Sequence, residues 1–132
     1  MKIFAILTLI LSYFVAFILG QAPVNAGVAI NIPTLNQTVY AGSNLTITWT
    51  ILDANATTIN AISLMDGDAL NLNWVIHNIL TNGPIQVSDR KYVWTVPTNL
   101  TTRNDYVIAM RGNNSYYTYS DYFTIINENN SS

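Results

Sequence analysis

The chain has few side chains that could perform acid–base or metal chemistry. One of its 132 residues is a histidine, His77, and none is a cysteine, which excludes a zinc site because zinc needs several such ligands. Hydrolysis of a glycosidic bond needs two carboxyl groups across a cleft. The one glutamate, Glu128, lies near the C-terminus, and the six aspartates lie mostly at predicted turns. We therefore expect no enzyme activity, no catalytic residues, no cofactor and no metal.

His77 and the segment Asp66-Gly67-Asp68 each allow a functional and a structural interpretation. His77 lies in an apolar run, where a lone histidine is typical of packing or of a sheet edge. Asp66-Gly67-Asp68 could hold calcium weakly, but two carboxylates without further oxygen ligands nearby are a poor calcium site. The same three residues form a strong turn signal, and a turn that closes a strand is the interpretation we favour.

Aromatic side chains are the richer chemical resource. The chain has three tryptophans and eight tyrosines. Trp49 and Trp94 continue apolar faces and are predicted to lie in the core. A second set is predicted to form a recognition surface that stacks on sugar rings or on a partner protein, with cross-strand packing as the alternative: Trp74, Tyr116, Tyr117 and Tyr119.

Sites for N-linked glycans are frequent along the chain. An Asn-x-Ser/Thr sequence accepts a glycan in a eukaryotic secretory pathway. None of the candidates interrupts an apolar alternation; four fall in predicted loops, one begins a strand and two lie in the C-terminal tail. The seven candidates are Asn36, Asn44, Asn55, Asn99, Asn113, Asn129 and Asn130.

The N-terminus is typical of a cleavable signal peptide. Lys2 precedes an apolar run of about 17 residues, which is at the short limit for a membrane span, and no basic cluster follows it. We predict a signal peptide over 1–20 with a cut after Gly20, Ala22 or as late as Ala26. A retained membrane anchor is the alternative. After cleavage no membrane association is expected, and the product is predicted to be extracellular or in a cell wall.

Charge is sparse in the remainder of the chain. Without Lys2, four basic and seven acidic residues remain, a net charge of −3. No basic patch is present to neutralise phosphates, which excludes nucleic acid as a partner. With no cysteine, the fold must depend on an apolar core, for which about 110 residues suffice.

Short alternating segments then predict strands. The clearest is Leu45–Ile51, in which apolar residues alternate with threonines. Further strands are predicted at Val28–Ile32, Ile59–Met65, Lys91–Val96, Tyr106–Met110 and Tyr117–Ile126, with one bent strand or two short ones over Leu70–Leu80. Seven to eight strands without a convincing helix indicate an all-β, immunoglobulin-like antiparallel sandwich over 27–126, followed by a polar tail over 127–132. Tyr106 stands where such folds often carry a corner tyrosine, with an ordinary core tyrosine as the alternative.

The order of these segments resembles a known family. The matching elements are Tyr40-Ala41-Gly42-Ser43 before Leu45-Thr46-Ile47-Thr48-Trp49, then Trp94-Thr95-Val96-Pro97, and Tyr119-Ser120-Asp121-Tyr122-Phe123-Thr124-Ile125. Together they resemble the N-terminal immunoglobulin-like domain of fungal cell-wall synthesis proteins of the Kre/Knh type, also found in Ser/Thr-rich GPI-anchored wall proteins. The resemblance covers roughly residues 27–126 and supplies no catalytic residues.

The resemblance implies secretion and a link to the fungal cell wall, in yeast to the assembly of β-1,6-glucan. The chain lacks a long Ser/Thr-rich stalk, a GPI signal and a basic C-terminal part. We therefore expect a secreted, non-catalytic domain whose partners are wall polysaccharide or wall proteins, with possible aid to wall assembly. The alternative is a secreted adhesion or effector module that binds protein and no glycan.

Overall fold

A computed structural model describes residues 24–128 as two packed β-sheets. The predicted signal peptide, the cuts after Gly20 and Ala22, and the sites Asn129 and Asn130 lie outside these residues. Within the described part no helix is long and apolar enough to cross a membrane. The ten strands are β1 (Val28–Ile32), β2 (Thr38–Tyr40), β3 (Asn44–Ile51), β4 (Thr58–Asp68), β5 (Asn71–Ile76), β6 (Ile85–Gln86), β7 (Lys91–Thr95), β8 (Arg103–Gly112), β9 (Tyr117–Tyr119) and β10 (Phe123–Ile126).

Strand β3 shows why these segments form a sandwich. Leu45, Ile47 and Trp49 are buried, and the threonines between them point away from the core. Because side chains alternate across a strand, this pattern gives one buried and one solvated face. The indole Nε1–H of Trp49 donates a 2.9 Å hydrogen bond to the carbonyl oxygen of Val87. Trp94, in register with Leu45, is also buried, so both tryptophans are core residues as predicted.

The strands form a small and a large sheet. The small sheet has the order β1-β3-β7, and the large sheet has the order β2-β10-β8-β4-β5, with β9 paired to β8 and β6 paired to β4. All pairings are antiparallel except β2 with β10. The predicted all-β, immunoglobulin-like fold is confirmed.

The sheets enclose one apolar core. In the large sheet, Ile62, Leu64, Ile108 and Met110 face inward and are fully buried. Thr118 of β9 joins the two sheets, since its hydroxyl donates to the carbonyl oxygen of Val28 and accepts from the N–H of Ala26, both at 3.0 Å. Between residues 24 and 128, one 3-10 turn, Val87–Asp89, interrupts the strands.

Several strand boundaries differ from the predicted ones. The last predicted strand is two strands, β9 and β10, separated by residues 120–122. The apolar run Leu70–Leu80 contains one strand, β5, and then leaves the sheet. Strands β2 and β6 were not predicted, because three and two residues are too short to show an alternating pattern.

The predicted turn at Asp66-Gly67-Asp68 is wrong. Strand β4 continues through Asp68, which pairs with Asn71 and leaves Ala69 and Leu70 as a two-residue turn. The turn instead lies at Ala69 and Leu70, directly after the predicted one. The Asp68 carboxylate stabilises it there, because it accepts the N–H of Leu70 at 2.9 Å. Gly67 instead allows close strand packing at positive φ, where a Cβ would lie 2.9 Å from the Asn73 side chain.

Candidate functional site

The outer face of the large sheet carries a continuous row of aromatic rings. The centroids of His77 and Trp74 are 5.1 Å apart, those of Trp74 and Tyr117 are 6.3 Å apart, and those of Tyr117 and Tyr119 are 6.1 Å apart. We call these four residues the aromatic row. Three of the four predicted recognition residues therefore lie together.

Small residues beneath the rings explain how the row forms. Trp74 lies on β5 and Tyr117 on β9, and strands β4 and β8 lie between them. At about 4.8 Å per strand the two backbones are roughly 14 Å apart, so rings 6.3 Å apart must lean toward each other over the sheet. The outward positions beneath them are Ala61, Ser63 and Ala109, which are buried although they face away from the core.

The register of the strands supports this arrangement. Trp74 is paired with Met65, and Tyr119 with Ala109, so both ring-bearing residues share the outward face. The Ser63 hydroxyl donates a 2.7 Å hydrogen bond to the carbonyl oxygen of His77, which holds the end of the row against the sheet. About half of the Trp74 and Tyr119 surface is exposed, so the rings offer apolar area to a ligand.

The fourth predicted recognition residue lies elsewhere. Tyr116 is half exposed in the turn before β9, and among the described residues it makes no ring contact with the aromatic row. Its place is taken by His77, which sequence reasoning assigned to packing or to an edge. His77 follows the end of β5, is exposed and stacks on Trp74 with an angle of 15° between the rings.

The outer face of the small sheet has a different character. The alternate residues of β3, Thr46, Thr48 and Thr50, line it, and the Asn31 amide donates a 2.8 Å hydrogen bond to the Thr50 hydroxyl. Hydroxyl and amide groups are well solvated by water. The aromatic surface is therefore confined to the large sheet.

The five described glycosylation candidates lie off the strands that carry the aromatic row. All five are exposed; Asn36, Asn55, Asn99 and Asn113 lie in loops and Asn44 begins β3, as predicted. The Asn113 side-chain oxygen also accepts the N–H of Thr57 at 2.9 Å. Glycan occupancy stays a prediction for each of them.

Charged groups with shifted pKa values form a separate cluster at one end of β8. Arg103 forms a bidentate ion pair with Asp105 at 2.7 Å and approaches Asp66 at 3.5 Å. The hydrogen bond from Arg103 holds the pKa of Asp105 below its ordinary value. Burial raises the pKa of the neighbouring Tyr106. These groups satisfy one another, and within residues 24–128 no three His, Cys, Asp or Glu side chains are grouped so that they could hold a metal ion.

Tyr106 is the expected corner tyrosine. Its hydroxyl donates a 2.6 Å hydrogen bond to the carbonyl oxygen of Thr101, five residues earlier in the loop before β8. The ring is buried and packs against Phe123 with centroids 6.2 Å apart. Two sheets joined by this corner define an immunoglobulin-like β-sandwich domain.

Comparison with known proteins identifies the family. The sequence model of the Kre9/KNH-like N-terminal Ig-like domain matches residues 32–125, and the chain belongs to this family. Membership makes it a cell-wall-related Ig-like domain of the fungal type.

No curated protein sequence matches the chain. Among solved structures, it is similar to the fibronectin(III)-like modules of Clostridium thermocellum CbhA, with 13% identity and a TM-score of 0.41 over 75% of this chain and 92% of that chain.

Proposed function

We propose that this domain is a secreted, non-catalytic component of the fungal cell wall that binds wall polysaccharide through the aromatic row. The observation that carries the proposal is the line of four neighbouring rings on the outer face of the large sheet. Sugar rings have apolar faces that stack on aromatic side chains, and a row of rings contacts successive sugars of one chain. A contiguous exposed apolar patch of this kind usually marks a binding site.

The positions of the glycosylation candidates support the outer face of the large sheet as the binding face. Bulky glycans on Asn36, Asn44, Asn55 or Asn99 would be attached outside strands β4, β5, β8 and β9, and a glycan on Asn113 would be attached in the β8–β9 turn, next to the end of β8. Glycans at the first four of these sites would leave the row accessible. We therefore expect enzymatic removal of N-linked glycans to leave polysaccharide binding unchanged.

Retention on insoluble polysaccharide tests the proposal. The purified protein is mixed with insoluble β-glucan or with chitin at low salt, and the bound fraction is measured after sedimentation. We expect retention on at least one of the two. Absence of retention on both would overturn glycan binding and favour the alternative, a module that binds another protein.

Substitutions then locate the binding face. Trp74→Ala and Tyr117→Ala should each weaken binding about tenfold, because truncation of a central aromatic anchor typically costs more than 1 kcal/mol. Tyr40→Ala is the matched control, since Tyr40 is similarly exposed but lies on β2. Thermal unfolding of each variant checks that the fold is retained. Equal loss in the control and the row variants would contradict the assignment of the face.

A further inference from the structure

A pocket of about 620 Å³ opens beside the Tyr119 end of the aromatic row. Its floor includes Met65 and Val107, which are paired across β4 and β8 and are buried on the outer face of the large sheet. Leu72 of β5 lines one side. The base of the pocket is therefore apolar and rests on the two central strands.

The segment between β9 and β10 builds the opposite wall and holds it in place. The backbone of Ser120 pairs with Ile108, and the Ser120 hydroxyl accepts the N–H of Ile108 at 2.9 Å. The Tyr122 hydroxyl reaches across to donate a 2.7 Å hydrogen bond to the carbonyl oxygen of Gly67 on β4. These bonds fix the segment on both sides, so the pocket is formed before any ligand arrives.

The rim combines exposed leucines with unneutralised negative charge. Leu70, at the tip of the β4–β5 turn, is 95% exposed, and Leu35 is 59% exposed. Asp121 is exposed at the rim and belongs to neither of the ion pairs found among residues 24–128. No lysine, arginine or histidine lines the pocket. A second carboxylate is nearby, since Asp68 directly precedes the lining residue Ala69 in the chain.

We propose that this pocket receives the side chain of a lysine or arginine from a polypeptide partner. The aliphatic stem of such a side chain would lie on Met65, Val107 and Leu72, and its charge would face the Asp121 carboxylate. The tyrosine rings at 119 and 122 line the same pocket, and aromatic faces attract cations. The lining thus complements both the apolar and the cationic part of one side chain.

Two other occupants fit the lining less well. The hydroxyls of Ser120 and Tyr122 are engaged in hydrogen bonds within the protein. A sugar would have Asn71, Asp121 and the Tyr119 hydroxyl as polar partners, whereas the floor of Met65, Val107 and Leu72 offers none. A purely aliphatic side chain would bring an unpaired carboxylate toward a less polar environment, which is unfavourable. The pocket shares Tyr119 with the aromatic row, but its other lining residues lie outside the row. If this proposal and glycan binding both hold, the domain links polysaccharide to a protein.

Titration with blocked amino acids tests the proposal on the full purified protein. The probes are N-acetyl-lysine-N-methylamide and its norleucine analogue, which has a similar aliphatic stem without the charge. Backbone amide shifts in NMR spectra report the site. We expect the lysine probe to shift the amides of residues 119–122 and 69–72, and to bind more tightly than the norleucine probe.

A variant identifies the charge that discriminates between the probes. Asp121→Asn should weaken binding of the lysine probe about twofold to fivefold, the range for one exposed ion pair, and should leave the norleucine probe unaffected. Asp89→Asn is the control, because Asp89 is exposed but lies away from the pocket. Added salt should weaken binding of the lysine probe to the wild-type protein and should have less effect on its binding to Asp121→Asn.

Three results would overturn the proposal. Equal affinity of the two probes would indicate an apolar occupant, and absence of shifts at residues 119–122 with either probe would show that the pocket takes neither. Shifts at residues 69–72 and 121–122, which lie outside the aromatic row, with a β-linked glucose hexamer, stronger than those with the lysine probe, would assign the pocket to a sugar. Because polysaccharide retention is measured separately on Trp74 and Tyr117 variants, failure here does not affect the proposed function.

Discussion

The hydroxyl of Tyr106 donates a 2.6 Å hydrogen bond to the carbonyl oxygen of Thr101. This bond joins the long strand β8 to the loop that crosses from the small sheet, and that loop contains the glycosylation candidate Asn99. Asn127, which directly follows β10, contacts the same loop, where its buried side-chain amide donates to the carbonyl oxygens of Thr98 and Leu100, both at 2.7 Å. The loop has little regular structure, so these side-chain bonds position it.

Removal of the corner hydroxyl should therefore destabilise the domain. We expect Tyr106→Phe to lower the free energy of unfolding by about 1–2 kcal/mol, because the substitution keeps the buried ring but leaves the Thr101 carbonyl without this donor. Urea-induced unfolding measures the change. Tyr40→Phe is the control, since the Tyr40 ring is half exposed. Equal stability of wild type and Tyr106→Phe would show that the bond contributes nothing to the folded state.

The same hydroxyl should make stability depend on alkaline pH. Burial raises the pKa of Tyr106 above its ordinary value of 10.0, so the folded state keeps this proton more tightly than the unfolded state. Its contribution is complete below pH 10 and is lost as the pH rises through the folded-state pKa. We expect the stability difference between wild type and Tyr106→Phe to shrink above pH 10. A difference that grows there would contradict the direction of the shift.

Different parts of the fold could be predicted from the sequence to different degrees. Two local signals were sufficient to place the core. One is the alternation in Leu45–Ile51, and the other is that Trp49 and Trp94 continue the apolar faces of their strands. The aromatic row was only partly predictable. Trp74 and Tyr117 are 43 positions apart in the chain, and their contact depends on strand order, on register and on the small residues between them, none of which is a local pattern.

The pocket was not predicted for a similar reason. It exists because the predicted strand Tyr117–Ile126 is divided at residues 120–122, and Ser120-Asp121-Tyr122 lacks the glycine or proline that would indicate a break. The separation follows from β9 and β10 pairing with different parts of β8.

The sequence did contain a signal for the aromatic row. Ala61 and Ser63 are outward residues of the predicted strand Ile59–Met65, and small outward residues leave room for neighbouring rings.

The ion pair at Arg103 should affect stability in acid. Since the Arg103 hydrogen bond lowers the pKa of Asp105 below its ordinary value of 3.8, the contribution of Asp105 is present above that pH and is lost as the pH falls through the folded-state pKa. We expect Arg103→Gln to cost at most about 1 kcal/mol at neutral pH, because both side chains are partly exposed.

Unfolding measured from pH 7 to pH 2 tests the ion pair. The wild type and Arg103→Gln should converge in stability below pH 3.8, and Arg90→Gln, at an exposed arginine without an ion pair among the described residues, should parallel the wild type throughout. A constant difference between wild type and Arg103→Gln across this range would contradict the coupling.

The small residues beneath the aromatic row should not tolerate enlargement. Ala109 is fully buried on the outer face, so Ala109→Leu should displace the rings above it and lower the free energy of unfolding by about 1–3 kcal/mol. Ala29→Leu, on the outer face of the small sheet, is the control. If the proposed function holds, Ala109→Leu should also reduce retention on polysaccharide. Unchanged stability would mean that the rings do not cover this position.

The contacts of Asn25 and Ala26 bear on where a signal peptide would be cleaved. Ala26 is buried, and its N–H donates to the Thr118 hydroxyl. The side-chain oxygen of Asn25 accepts the N–H of Gly27 at 2.7 Å, and its carbonyl oxygen accepts from the Asn114 amide at 2.9 Å. A cut after Ala26 would remove these contacts and place a charged amine at Gly27, whereas a cut after Gly20 or Ala22 would keep them.

If the predicted signal peptide is cleaved, we therefore expect the mature chain to begin at residue 21 or 23. Mass spectrometry of the N-terminal peptide from the secreted protein measures this directly, and an N-terminus at Gly27 would contradict it. Recombinant chains that begin at residue 23 and at residue 27 provide the matched comparison. The shorter chain should be less stable by about 1–3 kcal/mol, because the buried Thr118 hydroxyl loses one of its two hydrogen-bond partners, the N–H of Ala26.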